Sequence, residues 1–197
     1  MHFLRCSLIF LLLAFFSAGI VQAKESPKEI LDRMPQEIAG FHKGEIHGYG
    51  DARLGYSAAY DAPGVVITAY VYDLGRQAIA DGLDDPIVKS AFEGAKREIQ
   101  LAWDQGAYSD VKVLNEGRGI FHGRELTLSA KYELTRQEGQ DAGLRMFSQI
   151  QIFGARNQII KLRISGDLSK QDTTGPRVEK FVEEFVKAVQ LLPPAKL

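Results

Sequence analysis

The sequence predicts an α+β fold, in which amphipathic helices pack against an antiparallel β-sheet. Strands occur in runs rather than in alternation with helices, which is typical of the α+β class. The connections between them are short enough to imply antiparallel pairing. Two longer segments carry apolar stripes with helical spacing. An α/β/α sandwich, with helices on both sheet faces, is one arrangement that satisfies this pattern.

Residues 1–23 have the pattern of a cleavable secretory signal peptide. Arg5 precedes an apolar run, Leu8–Phe16, and small residues lead to a cleavage site after Ala23. The run is shorter than the roughly 20 residues of a membrane span, although an uncleaved anchor is the alternative. We therefore expect a single globular domain at 24–192 and a short proline-containing tail at 193–197.

Export to the periplasm is the expected destination, with secretion to the medium as the alternative. Cys6 is the only cysteine, and it lies before the apolar run, so no cysteine marks a lipoprotein cleavage site. After cleavage the chain has no thiol, which excludes disulfides and Cys-dependent chemistry from the mature domain.

The opening elements are a short helix, a strand and a hairpin. A helix is predicted from Pro27 to Met34, where the following proline stops it. The glycine-punctuated stretch 40–50 predicts a strand with irregular ends. Strands at 55–61 and 65–73 flank a Pro-Gly turn, which predicts a hairpin. Its apolar residues have both parities, so we expect it to be covered on both faces.

A central helix is predicted to begin at Pro86, because Asp85 is a suitable N-cap and proline suits the first turn. Gly106 ends it. One apolar stripe follows the helical period, and it consists of Val88, Phe92, Ala95, Ile99 and Trp103.

Four more strands and a final helix complete the predicted domain. The first strand begins near Val111, and turns are predicted at 122–123, 137–142 and 155–157. These later strands alternate in hydropathy, which indicates one buried face. The last helix is predicted from about Pro176, with Thr173 or Thr174 as its cap.

The order of these elements resembles the PsbP/Mog1-type α/β/α sandwich of exported bacterial proteins. The resemblance rests on the hairpin at 55–73, the helix at 86–105, the meander at 124–166 and the last helix around 181–185. It covers most of the mature chain but involves no signature motif, so no functional residue carries over. The group mostly comprises accessory and binding proteins, which implies a non-catalytic role by analogy.

Charge and composition exclude several partners. The formal net charge is -1 and 45% of residues are hydrophobic, as in an ordinary globular protein. No basic patch indicates nucleic acid or anionic lipid.

Tyrosines crowd the opening strands and could form a ligand-binding surface, since tyrosine offers a large area with a polar tip. They could equally fill the space between sheet and helices. Basic residues on the later strands predict an outward row, Lys131, Lys161 and Arg163, that could bind an anion or simply be solvated. The residues predicted to bind a ligand are Tyr56, Tyr60, Tyr70, Tyr72, Lys161 and Arg163.

Metal and catalytic motifs are weak. Only Glu45 and His47 would share a face of an extended strand, with His42 on the other face, and two ligands fall short of a typical metal site. Asp81, Asp84 and Asp85 precede the central helix and are expected to cap it. There is no Gly-x-Ser-x-Gly or phosphate-binding glycine motif.

We therefore predict no catalytic residue, no metal and no cofactor. The expected protein is a soluble, non-catalytic envelope protein that binds an envelope protein or a small ligand, with no nucleic acid and no membrane anchor after cleavage. A periplasmic hydrolase or metal-dependent enzyme is the alternative.

Overall fold

A computed structural model describes residues 24–139 and 141–193. The predicted signal peptide and all of the tail except Pro193 lie outside the described residues. The helices are α1 (Pro27–Arg33), α2 (Pro86–Asp104) and α3 (Gln171–Leu191). The strands are β1 (Glu37–Ile38), β2 (Phe41–Gly48), β3 (Tyr56–Ala62), β4 (Val65–Tyr72), β5 (Tyr108–Phe121), β6 (Arg124–Arg136), β7 (Arg145–Ala155) and β8 (Gln158–Asp167).

The eight strands form one antiparallel sheet in the order β1-β2-β3-β4-β8-β7-β6-β5. Each neighbouring pair in the meander is a hairpin, and the predicted turns at 122–123 and 155–157 are confirmed. Arg156 and Asn157 both have positive φ, 58° and 59°, as a two-residue turn between twisted strands requires. The β4–β8 pair is the long-range contact that joins the early hairpin to the meander.

Helices lie on both faces of the sheet, which confirms the α+β fold and its sandwich arrangement. On one face the α3 ring of Phe181 packs edge-on against Phe41 and Tyr60, with centroid separations of 5.0 and 5.1 Å. α1 contacts β2, β3 and β4, and Tyr60 on that face donates to the Pro35 carbonyl just beyond this helix. α2 packs on the opposite face, against β5, β6 and β7.

Burial differs from the prediction at β7 and at the early hairpin, whereas β8 alternates between buried and half-buried residues as predicted. Strand β7 is buried on both faces, including Phe147 on one side and Ile150 on the other. The early hairpin is less covered, since Val66 is 45% exposed. The prediction was wrong because β7 lies near the middle of the sheet under α2, whereas α2 only borders β4.

Helix α3 begins at Gln171, five residues before the predicted start. A 3₁₀ turn, Leu168–Lys170, leads directly into it, and the Thr173 and Thr174 hydroxyls each donate to the Lys170 carbonyl at 2.9 Å. The threonines therefore stabilise the first turn rather than cap it. Pro176 lies inside the helix, where it cannot donate the usual backbone hydrogen bond.

A buried ion-pair cluster joins the two ends of the described chain. The Glu25 carboxylate, 6% exposed, lies 2.5 Å from the Arg33 guanidinium and 2.6 Å from that of Arg156. Arg156 also donates to the carbonyls of Leu192 and Pro193, at 2.9 and 3.0 Å. One side chain in the β7–β8 turn thus holds both ends against the sheet.

Replacing Arg156 with methionine keeps an extended side chain but removes this cluster's central cation. We expect a loss of about 3 kcal/mol in the free energy of unfolding, because removing one partner of a buried ion pair costs about 3–5 kcal/mol. Urea unfolding measures this loss. Arg53→Met is the matched control, since the Arg53–Asp51 pair is exposed and exposed pairs contribute little to stability. Equal losses in the two variants would contradict the role of the cluster.

Candidate functional site

A groove lies between α2 and the sheet, over the boundary of β4 and β8. Its volume is about 540 Å³. Tyrosines and exposed leucines line the sheet side and the nearby loops, and small residues line the helix side. The lining residues used below are Tyr49, Tyr70, Tyr72, Ala91, Gly94 and Lys161.

Strand alternation explains why the tyrosines face the groove. In β4 the buried residues, such as Ile67 and Val71, face α3. Tyr70 and Tyr72 have the opposite parity and so face α2. In β8, Lys161 pairs with Tyr70 and Arg163 pairs with Thr68, so these two cations lie on the same face as the tyrosines.

The α2 sequence leaves space above them. Its apolar stripe buries Val88, Phe92, Ala95 and Ile99 as predicted, whereas Trp103 is 40% exposed. The flank of the helix next to this stripe carries Ala91 and Gly94. A Cβ at Gly94 would have only the tip of Arg97 within 4 Å, at 3.8 Å. The groove therefore exists because this flank has no large side chain.

Aromatic rings form a continuous row across the groove. His47 meets Tyr49 edge-on at 5.1 Å, and Tyr49 stacks with Tyr70 at 6.4 Å. The Lys161 ammonium lies 4.7 Å from the Tyr70 ring centroid and 6.0 Å from that of Tyr72. These distances are typical of cation–π contacts.

A smaller recess of about 180 Å³ continues from the groove toward Arg163. The two cavities share Tyr70, Ala95, Glu98 and Lys161 as lining residues. Lys161 is paired with Glu98 at 3.2 Å. Arg163 lies beside the Tyr108 phenol and makes no salt bridge within the described part of the chain. Burial lowers the pKa of Arg163, but a guanidinium remains charged at any physiological pH.

The Tyr70 and Tyr72 phenols are neutral near pH 7. Burial raises the pKa of Tyr70, and the adjacent Tyr49 raises it further. Burial also raises the pKa of Tyr72, with a second contribution from Glu98. The site therefore presents neutral aromatic rings and hydroxyl groups next to cations, which suits binding rather than proton transfer near pH 7.

Four of the six predicted binding residues meet in this groove and its recess: Tyr70, Tyr72, Lys161 and Arg163. The other two, Tyr56 and Tyr60, lie on the opposite sheet face. Tyr60 is fully buried against Phe181 and donates to the Pro35 carbonyl at 3.2 Å. It belongs to the core, so we leave both tyrosines out of the candidate site.

The predicted row of three cations is wrong, because Lys131 lies on the other face from Lys161 and Arg163. Lys131 pairs with Gln149, which pairs in turn with Ile164 on the α3 face. Neighbouring residues along β8 alternate between faces. The face on which each of these cations lies is set by the register across three strands, which the sequence does not show.

Contrary to the prediction, His42 and His47 do not lie on opposite faces of β2. A β-bulge between Lys43 and Ile46 places His42 opposite Asp61 and His47 opposite Ser57. Those β3 partners have the same parity, so both histidines lie on one face, not on two. Within residues 24–139 and 141–193, no three His, Cys, Asp or Glu side chains are close enough to hold a metal ion.

Of the three aspartates that were predicted to cap α2, only Asp85 does so. Asp85 accepts from the backbone N–H groups of Ile87 and Ala80, both at 2.7 Å, and these hydrogen bonds lower its pKa. Asp84 pairs with Arg118 at 2.8 Å, and Asp81 accepts from the backbone of Arg156.

Sequence reasoning missed the helix side of the groove and the far wall of the recess. Tyr108, Glu98 and the small residues of α2 were not singled out. The small residues Ala91 and Gly94 beside the apolar stripe were the available signal, because such a flank cannot fill the space over a neighbouring strand.

Comparison with known proteins gives matches among solved structures, at low sequence identity. No protein-family model matches the chain, and neither does any curated protein. Among solved structures, the chain is similar to PsbP of the cyanobacterium Synechocystis, at 10% identity over 72% of this chain and 79% of that one, with a TM-score of 0.41. It is also similar to a Pseudomonas aeruginosa protein of unknown function, at 12% identity over 78% and 83% of the two chains, with a TM-score of 0.39.

No residue role is carried over from either protein. No helix in the described ranges combines the length and apolar character that crossing a membrane requires.

The raised pKa of Tyr72 makes the free energy of unfolding sensitive to alkaline pH. An unfolded tyrosine releases its proton near pH 10, while folded Tyr72 keeps its proton to higher pH. The contribution of the Tyr72 phenol to the free energy of unfolding is therefore fully present below pH 10 and is lost as the pH rises above it. We expect urea unfolding at pH 9, 10 and 11 to show a steeper decline for the wild type than for Tyr72→Phe, by up to about 1.4 kcal/mol per pH unit. Identical slopes would show that the phenol is not shielded.

Proposed function

We propose that this protein is an exported, non-catalytic binding domain of the cell envelope, and that the groove between α2 and the sheet is its ligand site. The observation that supports this most strongly is the row formed by Tyr49, Tyr70 and Tyr72 under a helix flank of small residues. Export is supported by the signal pattern of residues 1–23.

The dimensions of the groove favour a small molecule or a single inserted side chain. Small-molecule sites typically have volumes of roughly 300–1,000 Å³ and combine aromatic walls with a few polar groups. At about 540 Å³ the groove is within this range. Its polar groups include the Tyr70 and Tyr72 hydroxyls, the Lys161–Glu98 pair and the Arg97 guanidinium.

The site is built on rigid elements, which lowers the entropic cost of binding. Tyr70, Tyr72 and Lys161 lie on strands in the middle of the sheet, and α2 is anchored by four buried side chains. The Tyr49 hydroxyl shares a hydrogen bond of 3.0 Å with Ser57. A ligand would therefore meet a preformed surface.

Export predicts a mature chain that begins at Lys24. Intact-mass measurement of the protein purified from the cell envelope or medium is expected to give the mass of residues 24–197. A chain that retains residues 1–23 would contradict cleavage, and a chain found only in the cytoplasm would contradict export.

The binding site can be tested by filling the groove without removing any contact. Gly94→Phe adds a ring on the groove side of α2, where the space is open, and it should not reduce helix stability because glycine is a poor helix former. The wild type and the variant are immobilised and incubated with an envelope extract, and the retained small molecules are identified by mass spectrometry. We expect Gly94→Phe not to retain the molecules that the wild type retains.

Gln100→Phe is the matched control, since it adds the same ring on an exposed side of α2 away from the groove. The control is expected to retain the same molecules as the wild type. Retention by Gly94→Phe equal to that of the control would contradict the assignment of the groove as the binding site.

A further inference from the structure

Arg163 at the end of the recess defines the chemistry of the ligand, and this inference rests on the proposed function of the groove. Its guanidinium faces a cavity wide enough for a small polar group, and no carboxylate of the described residues forms a salt bridge with it. The recess opens into the aromatic groove, so a single ligand can occupy both.

We propose that the groove binds small planar acids, with the planar body on the tyrosines and one carboxylate directed at Arg163. A guanidinium presents a fork of N–H donors that matches a carboxylate. The Tyr108 phenol, which lies beside Arg163, is a further donor for the same group.

The local charges select a single negative charge. Lys161, Arg163 and Glu98 line the recess, and together they carry one net positive charge. Since Lys161 is already paired with Glu98, Arg163 is the cation within the recess itself that is left to neutralise a ligand, while Arg97 lines the outer groove. A monoanionic carboxylate therefore matches the site, whereas a phosphate dianion would bring a charge that the recess does not balance.

Glu98 is placed to limit anion binding. Its side chain is 65% exposed while that of Lys161 is 15% exposed, so the carboxylate approaches the ammonium from the solvent side. It competes with an incoming acid for Lys161 and repels it. Neutralising Glu98 should therefore strengthen the binding of acids and leave neutral ligands unaffected.

The experiment compares 2-naphthoate with 2-naphthamide, which has the same planar body without the charge. Isothermal titration calorimetry with the mature protein is expected to give a naphthoate affinity about tenfold or more above that of naphthamide, as hydrogen bonds to a charged group allow. Arg163→Met removes this preference and leaves naphthamide affinity unchanged. Glu98→Gln raises naphthoate affinity severalfold.

Two controls separate the inference from the proposed function. Lys131→Met removes a cation from the opposite sheet face and should keep the full preference for naphthoate. Gly94→Phe should abolish the binding of both compounds. The urea midpoint of each variant confirms that it is folded, and Arg163→Lys, which keeps the charge, should retain part of the preference.

Equal affinities of the wild type for the two compounds would overturn the selectivity for acids while the groove itself still binds. A preference that persists in Arg163→Met would overturn the role of Arg163. Failure of the wild type to bind either compound would overturn this inference alone, because the retention of small molecules from an envelope extract tests the groove separately.

Discussion

The alternation of side chains along β4 and β8 is the constraint on which the rest of the structure depends. These two strands join the early hairpin to the meander, and their register sets Tyr70 beside Lys161. Their apolar residues face α3 and fill the core on that side. A slip of one residue would move tyrosines and cations into that core, so the packing that stabilises the sheet also assembles the groove.

Two different faces of helix α2 contribute to folding and to the proposed binding site. Its stripe of buried residues, including Phe92 and Ile99, attaches it to the meander. The adjacent flank, with Ala91 and Gly94, carries no large side chain and borders the groove. The stripe therefore contributes the stability, while the flank defines the shape of the site. This division is what allows a filling substitution to test binding without unfolding the domain.

Local patterns made most of the elements predictable, and long-range register made the site unpredictable. The N-cap Asp85, the β6 alternation and the two-residue turn at Arg156 are properties of short segments. By contrast, the separation of Lys131 from Lys161 depends on pairing across three strands. The bulge in β2, which brings its histidines to one face, does have a local signal, because Gly44 lies within it and a glycine inside a strand indicates a bulge.

A crystal structure of the protein purified from its native envelope is the most direct measurement of the central claim, that a preformed groove lies between α2 and the tyrosines. We expect an open cavity bordered by Gly94 on the helix and by Tyr70 and Tyr72 on the sheet, leading to Arg163. A helix packed directly onto the two tyrosines, with no cavity between them, would contradict it.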